Sequence, residues 1–126
     1  MLNNCAVPCD AGADGANHGE IAMKVLDIVP RHGSGFYSAI VKKQAEIRKS
    51  GRGTFVRARA KTRGAARWTH VRYRGSLDLK SGEANAVTVR IKSSDHGDEA
   101  RLLSSFLGWL DRHFGKHISS VTIQYR

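Results

Sequence analysis

Cationic, aromatic and imidazole side chains alternate along one stretch of the chain, from Phe55 to Arg74. Such a mixture can contact a polyanion, because cations bind phosphates and flat aromatic rings stack on unpaired bases. His70 adds a possible general base, with Arg59 or Arg72 available to stabilise a developing phosphorane. One histidine in a basic patch does not establish a catalytic site. The sequence therefore favours a non-enzymatic protein, with a metal-independent ribonuclease as the weaker alternative.

The remaining histidines and the cysteines do not form a recognisable metal site. His113 and His117 have the i, i+4 spacing of helical metal ligands, but Gly115 between them predicts that the helix ends first. Cys5 and Cys9 are separated by three residues, unlike the cysteine pairs of zinc fingers. The sequence also lacks a nucleophile elbow, a P-loop and a dinucleotide-binding motif. It predicts no cofactor, no metal site and no small-molecule substrate.

The surplus positive charge is confined to residues 42–74, which we call the basic segment. This segment holds twelve Lys or Arg residues against a single acid, Glu46. The rest of the chain carries nine basic and ten acidic residues, so the net charge of +10 belongs to the basic segment alone. Positive charge concentrated in this way is typical of a nucleic-acid interface, and it also suits an acidic protein partner.

The length and composition bound the domain organisation. A chain of 126 residues is expected to form one domain with its own core. Residues 1–18 are rich in Ala, Gly, Asn and Asp and lack periodicity, so we expect a disordered leader before a single domain over residues 19–126. No apolar run is long enough to span a bilayer, and the N-terminus lacks the pattern of a secretory signal. A cytoplasmic location without membrane contact is expected.

Hydrophobic periodicity predicts an α+β fold. Apolar residues at helical spacing predict helices over residues 36–49 and 98–114. Residues 20–29 suit a helix or a strand, and we favour a helix because Pro30 and Gly33 follow. Period-2 alternation predicts strands over residues 55–61, 68–80, 87–91 and 120–125. The expected architecture is an antiparallel meander plus a C-terminal strand, with the two amphipathic helices packed on one face of the sheet.

Loop lengths predict which side chains share a face of the meander. A turn at residues 63–66 places Arg59 opposite His70 and Arg57 opposite Arg72, on the face away from the helices. Two like charges that face each other favour an anion between them. The predicted apolar face is built from Val56, Ala58, Val71, Tyr73, Leu77, Leu79, Val87, Val89 and Ile91.

These patterns together favour a nucleic-acid-binding domain that uses a basic, aromatic-containing hairpin face, with single-stranded RNA or DNA slightly favoured over duplex. The alternative is a protein-interaction module whose basic face docks an acidic protein. The predicted binding residues are Phe55, Arg57, Arg59, Lys61, Arg63, Arg67, Trp68, His70, Arg72, Arg74, Arg90 and Lys92.

Overall fold

The computed structural model describes residues 22–60 and 63–126. The predicted leader, residues 1–18, lies outside the described residues. The chain order is β1 (Ala22–Pro30), α1 (Phe36–Lys49), β2 (Phe55–Ala58), β3 (Ala65–His70), β4 (Ser76–Ser81), β5 (Val87–Ser93), α2 (His96–Phe114) and β6 (Ile118–Tyr125). Within the described residues the strands form one six-stranded antiparallel sheet in the order β2-β3-β4-β5-β1-β6.

The α+β prediction is confirmed, with both helices packed against one face of the sheet. We call this the helix face, and its opposite the open face. The core between the helices and the sheet is formed by Leu26, Ile28, Ile40, Phe55, Ala66, Trp68, Leu77, Leu79, Val87, Val89, Ile91, Leu102, Phe106, Trp109 and Leu110. No helix in the described part of the chain is long and apolar enough to cross a membrane.

The two helices form where the sequence predicted them. α1 buries Phe36, Ile40 and Gln44, the residues that share its predicted apolar face. α2 begins after Asp95, whose carboxylate accepts a hydrogen bond of 2.9 Å from the backbone N–H of Asp98. This is the usual way to satisfy an unpaired donor in the first turn of a helix.

The prediction of a helix over residues 20–29 is wrong, because this segment contains β1, between β5 and β6. Leu26 and Ile28 alternate into the core, while Val25 is buried on the open face. β1 therefore carries buried apolar residues on both faces, and such a sequence does not distinguish a strand from a buried helix.

The predicted long strand over residues 68–80 is also wrong, because the chain reverses direction at residues 71–75. β3 and β4 pair as a hairpin, with Trp68 opposite Leu77. Gly75 makes the reversal possible. Its φ is +123°, and a Cβ atom at this position would lie 2.2 Å from the backbone oxygen of Lys92. Only glycine fits so close to a neighbouring backbone.

The predicted faces of β2 and β3 are inverted. Phe55 and Trp68 do share a face, but that face points to the helices, and Val56 and Ala58 lie on the open face. Burying two large aromatic rings removes more apolar area from water than burying Val and Ala would. The apolar assignments on β4 and β5 are confirmed, since Leu77, Leu79, Val87, Val89 and Ile91 are all fully buried.

Candidate functional site

The open face of the sheet is concave and is lined mainly by polar and charged residues. The concavity has a volume of about 600 Å³ and lies over β3, β4 and β5, with Ala60 and the residues between β4 and β5 at its margins. Among the described residues, both helices pack on the opposite face and none covers this surface. Its charged lining residues are Asp27, Arg67, Asp78, Lys80, Glu83, Arg90 and Lys92.

An ion-pair network fixes two of these cations. The guanidinium of Arg67 donates to both carboxylate oxygens of Asp78, with N···O distances of 2.7 and 3.2 Å. The Lys92 ammonium lies 3.6 Å from the same carboxylate. The bidentate geometry orients the Arg67 side chain on β3 across the strand pair. Arg67 and Lys92 are therefore held in place at the floor of the concavity.

Burial alone would raise the pKa of Asp78, but the hydrogen bond from Arg67 and the charges of Arg67 and Lys92 hold it below its ordinary value of 3.8. A carboxyl group whose pKa is lowered by folding stabilises the protein above its unfolded pKa, and this stabilisation is lost as the pH falls through the folded value. We expect Asp78→Asn to destabilise the protein at pH 7 and to have a progressively smaller effect as the pH falls below the ordinary pKa of 3.8 and through the lower pKa of folded Asp78. Urea unfolding of both proteins from pH 7 down to acid pH tests this expectation. A difference in the free energy of unfolding that stays constant with pH would contradict it.

Two further cations on the open face have no such partner. Lys80 and Arg90 are exposed, and neither forms an ion pair with another described residue. Arg90 lies directly across from Asp78 on the neighbouring strand, and Lys80 lies across from Thr88. The Thr88 hydroxyl donates to the Asp27 carboxylate at 3.1 Å, so that acid is engaged beside the concavity.

Several predicted binding residues lie at the two ends of β2 and β3, outside the concavity. Arg59 and Arg63 are exposed in the turn that joins these strands, and Ala60 of this turn lines the concavity. Arg72 and Arg74 are exposed at the other end, in the reversal between β3 and β4. Lys61 lies outside the described residues. The predicted binding set is therefore divided among the open face, the two loops and the helix face.

The predicted register between β2 and β3 is wrong by four residues. Phe55 lies opposite His70, and Arg57 lies opposite Trp68. The predicted pairs of Arg59 with His70 and of Arg57 with Arg72 therefore do not form. Arg57 lies on the helix face at the edge of the sheet, where its side chain remains exposed. Its charge acts on Tyr37 of α1, whose pKa is raised by burial and lowered less strongly by Arg57.

The predicted stacking platforms are not on the surface. Phe55 and Trp68 are 2% and 0% exposed. Their ring centres lie 5.8 Å apart, and each contacts Phe106 and Trp109 of α2. Neither ring can stack on a base while the domain is folded. The prediction that Phe55 and Trp68 belong to an exposed binding face is therefore wrong. The cations of the predicted set are the members that reach solvent.

His70 is half-buried on the helix face, away from the concavity. Its ring stacks on Tyr73 with centroids 4.5 Å apart, and its Nδ1 accepts the backbone N–H of Arg72 at 3.0 Å. Burial, together with the charge of Arg72, lowers the pKa of this imidazole. These contacts organise the loop between β3 and β4. They place His70 apart from Arg59, one of its two predicted catalytic partners, and beside the backbone of Arg72, the other.

Sequence reasoning did not include Lys80 among the binding residues, although the signal was present. Lys80 and Asp78 alternate with Leu77 and Leu79, and that alternation places both on the face opposite the core. In the structure the concavity is centred on β4 and β5, beside the basic segment.

Comparisons with known proteins do not assign a family. The sequence matches no protein-family model and gives no match among curated proteins. A function for this chain therefore has to be argued from its own side chains.

Proposed function

We propose that this protein binds nucleic acid through the phosphate backbone, using the open face and the adjoining loops at both ends of β2 and β3. The observation that carries the proposal is the scarcity of acidic partners for the basic segment. Among its described cations, Arg67 alone forms an ion pair with another described residue. Exposed cations without acidic partners are favourable sites for phosphate groups, whose binding releases condensed counterions.

The geometry of the open face supports contact with more than one phosphate. Arg67 and Lys92 are oriented by Asp78, while Arg90 is exposed across from that acid on β5 and Lys80 is exposed two residues further along β4. Charges are therefore presented on three adjacent strands, which lie about 4.8 Å apart. The four cations exceed the three acids of the lining by one, so the wider loops must supply much of the attraction.

The buried aromatic residues change the kind of nucleic acid that the proposal favours. A preference for single strands rested on Phe55 and Trp68 as stacking platforms, and both lie in the core. Recognition through phosphates alone predicts little dependence on base sequence and no advantage for unpaired bases. The proposal therefore covers RNA and DNA, with the backbone as the contacted part of the ligand.

We expect Lys80→Ala combined with Arg90→Ala to weaken binding and to reduce its dependence on salt. Each phosphate contact contributes about 0.7 to 0.9 to the slope of log affinity against log salt, so the double variant should flatten it by about 1.4 to 1.8. Fluorescence anisotropy with labelled single-stranded and duplex oligonucleotides measures this slope. The matched control is Arg112→Ala with Lys116→Ala, which removes the same charge from exposed positions on and just after α2.

Equal effects of the two double variants would show that only net charge matters, and would contradict a site on the open face. Absence of binding to RNA and DNA near 50 mM salt, where such contacts are strong, would overturn the proposal altogether. The acidic-protein alternative would then account for the basic surface.

A further inference from the structure

Within the described residues β6 is an edge strand, and apart from a register irregularity between its residues 118 and 120, where its pairing with β1 shifts, it lacks the features by which sheets usually protect their edges. It runs from Ile118 to Tyr125, pairs with β1 on one side, and has no described strand on the other. None of its eight residues is charged, and none is proline. Exposed edges normally carry charges, prolines or bulges that prevent pairing with another chain.

The hydrogen-bonding pattern identifies the unpaired groups on this edge. The backbone N–H of Arg126 donates to the carbonyl oxygen of Met23, toward β1. Backbone groups of successive residues point to opposite sides of a strand, so those of Val121, Ile123 and Tyr125 point away from β1. Three residues thus present both a donor and an acceptor along an extended line.

A partly apolar groove runs beside the same edge. A space of about 270 Å³ between α2 and β6 is lined by four apolar residues, Leu107, Leu110, Ile118 and Val121, together with Asp111 and Gly115. Tyr125, at the end of the strand, is 73% exposed. The edge therefore offers apolar area in addition to backbone hydrogen bonds, and these together are what an added strand requires.

The opposite edge of the sheet, β2, is short, carries positive charge and has one of its backbone acceptors already bonded. β2 has four residues, and the side chain of Gln44 donates to the carbonyl oxygen of Phe55 at 2.9 Å. Arg57 lies in the strand and Arg59 follows it. The basic segment is concentrated at this side, five strand spacings or about 24 Å along the sheet from β6. That separation exceeds the Debye length of about 8 Å at physiological salt.

We propose that β6 pairs with β6 of a second copy of this chain, in antiparallel orientation about a two-fold axis at Thr122. This register places Val121 of each copy opposite Ile123 of the other, so the outward backbone groups of the two strands meet on both sides of the axis. Two copies that each carry a net charge of +10 can approach here because the paired strands are uncharged. The axis is perpendicular to the sheet, so both open faces point to the same side.

The chain itself offers a less suitable occupant. Residues 1–21 are the longest stretch outside the described residues, but their first 18 are rich in Ala, Gly, Asn and Asp and lack the alternation of a strand. A segment of that composition would gain little from the apolar groove. β6 has the required alternation, since Val121, Ile123 and Tyr125 interleave with polar residues.

Sedimentation analysis of the full chain from about 1 to 100 μM tests the proposal. We expect a monomer–dimer equilibrium in the micromolar range, as is usual for small interfaces. Thr122→Lys places two ammonium groups opposite each other at the axis and should weaken the dimer at least tenfold. Ser104→Lys introduces the same charge on the exposed side of α2 and should leave the dimer unaffected. A monomer at all concentrations, or equal effects of both variants, would overturn the proposal.

Amide hydrogen exchange provides a second measurement that does not depend on a variant. We expect the amides of Val121, Ile123 and Tyr125 to be protected at high concentration and to lose protection on dilution, because their partner lies in the other copy. Rapid exchange at every concentration would contradict the proposal. Protection that does not change with concentration would also contradict it, and would indicate that residues 1–21 cover the edge instead.

Discussion

Trp68→Ala is expected to destabilise the protein by about 3 to 5 kcal/mol, a large part of the 5 to 15 kcal/mol typical of a small domain. Trp68 is fully buried, and its ring contacts Phe55, Phe106 and Trp109. Its removal leaves a cavity that the two helices and the sheet cannot easily fill. The melting temperature followed by circular dichroism should fall by at least about 10 °C.

Two variants serve as controls for this expectation. The indole N–H of Trp68 has no hydrogen-bond partner among the described residues, so Trp68→Phe removes apolar volume alone and should cost less. Val71→Ala alters a residue that is 56% exposed, and it should change stability by less than about 0.5 kcal/mol. If Trp68→Ala left the melting temperature unchanged but weakened oligonucleotide binding, the ring would have to lie on the surface.

Glu99→Gln should destabilise the protein by about 3 kcal/mol, because it leaves the Lys24 ammonium buried without a counter-charge. The two side chains form an ion pair between β1 and the first turn of α2, and they are 12% and 6% exposed. The Lys24 ammonium also lies 5.2 Å from the centre of the Tyr125 ring. Urea unfolding at low and high salt measures the loss, which should depend little on salt since the pair is shielded from solvent.

The double variant Lys24→Met with Glu99→Leu should recover most of the stability lost in Glu99→Gln, because both charges are then absent. Arg101→Ala is the matched surface control. Arg101 pairs with Asp98 at 3.1 Å on the same helix, but its side chain is 58% exposed, so its loss should cost less than about 1 kcal/mol. Equal costs for Glu99→Gln and Arg101→Ala would contradict the buried role of Glu99.

The helices could be predicted from the sequence because their signals are local. The residues that α1 and α2 bury recur at helical spacing, and both helices end where a following glycine predicts, at Lys49 before Gly51 and at Phe114 before Gly115. The apolar positions of β4 and β5 could be predicted for the same reason. Their alternation places one set of residues in the core whatever the register.

The errors arose where the answer depended on neighbours that are distant in sequence. Val25, Leu26 and Ile28 are all buried because β1 lies between two other strands, and no local pattern reveals those strands. Similarly, the prediction that Phe55 and Trp68 share one face of the sheet is confirmed. They lie on the helix face because they pack against Phe106 and Trp109 of α2. Which face of β2 and β3 points to the core depends on the apolar area that each face can bury, and this area cannot be calculated before the fold is known.

The sequence predicted the cations of the candidate site but not their arrangement around Asp78. Arg67, Arg90 and Lys92 were identified from the sequence and do lie together on the open face. The position of Asp78 at their centre follows from the pairing of β3 with β4, which required the reversal at Gly75. A single misjudged turn therefore separated residues that the structure brings into contact.

The side chain of Gln44 has a consequence for how far self-association can proceed. A protein with two receptive sheet edges can add copies at both ends and grow into a fibre, whereas one with a single receptive edge stops when that edge is used. By donating to the carbonyl oxygen of Phe55, Gln44 occupies an acceptor that an incoming strand would need. Assembly through β6 therefore stops at a dimer, because the β2 edge that each copy leaves free is blocked by Gln44 of the same chain.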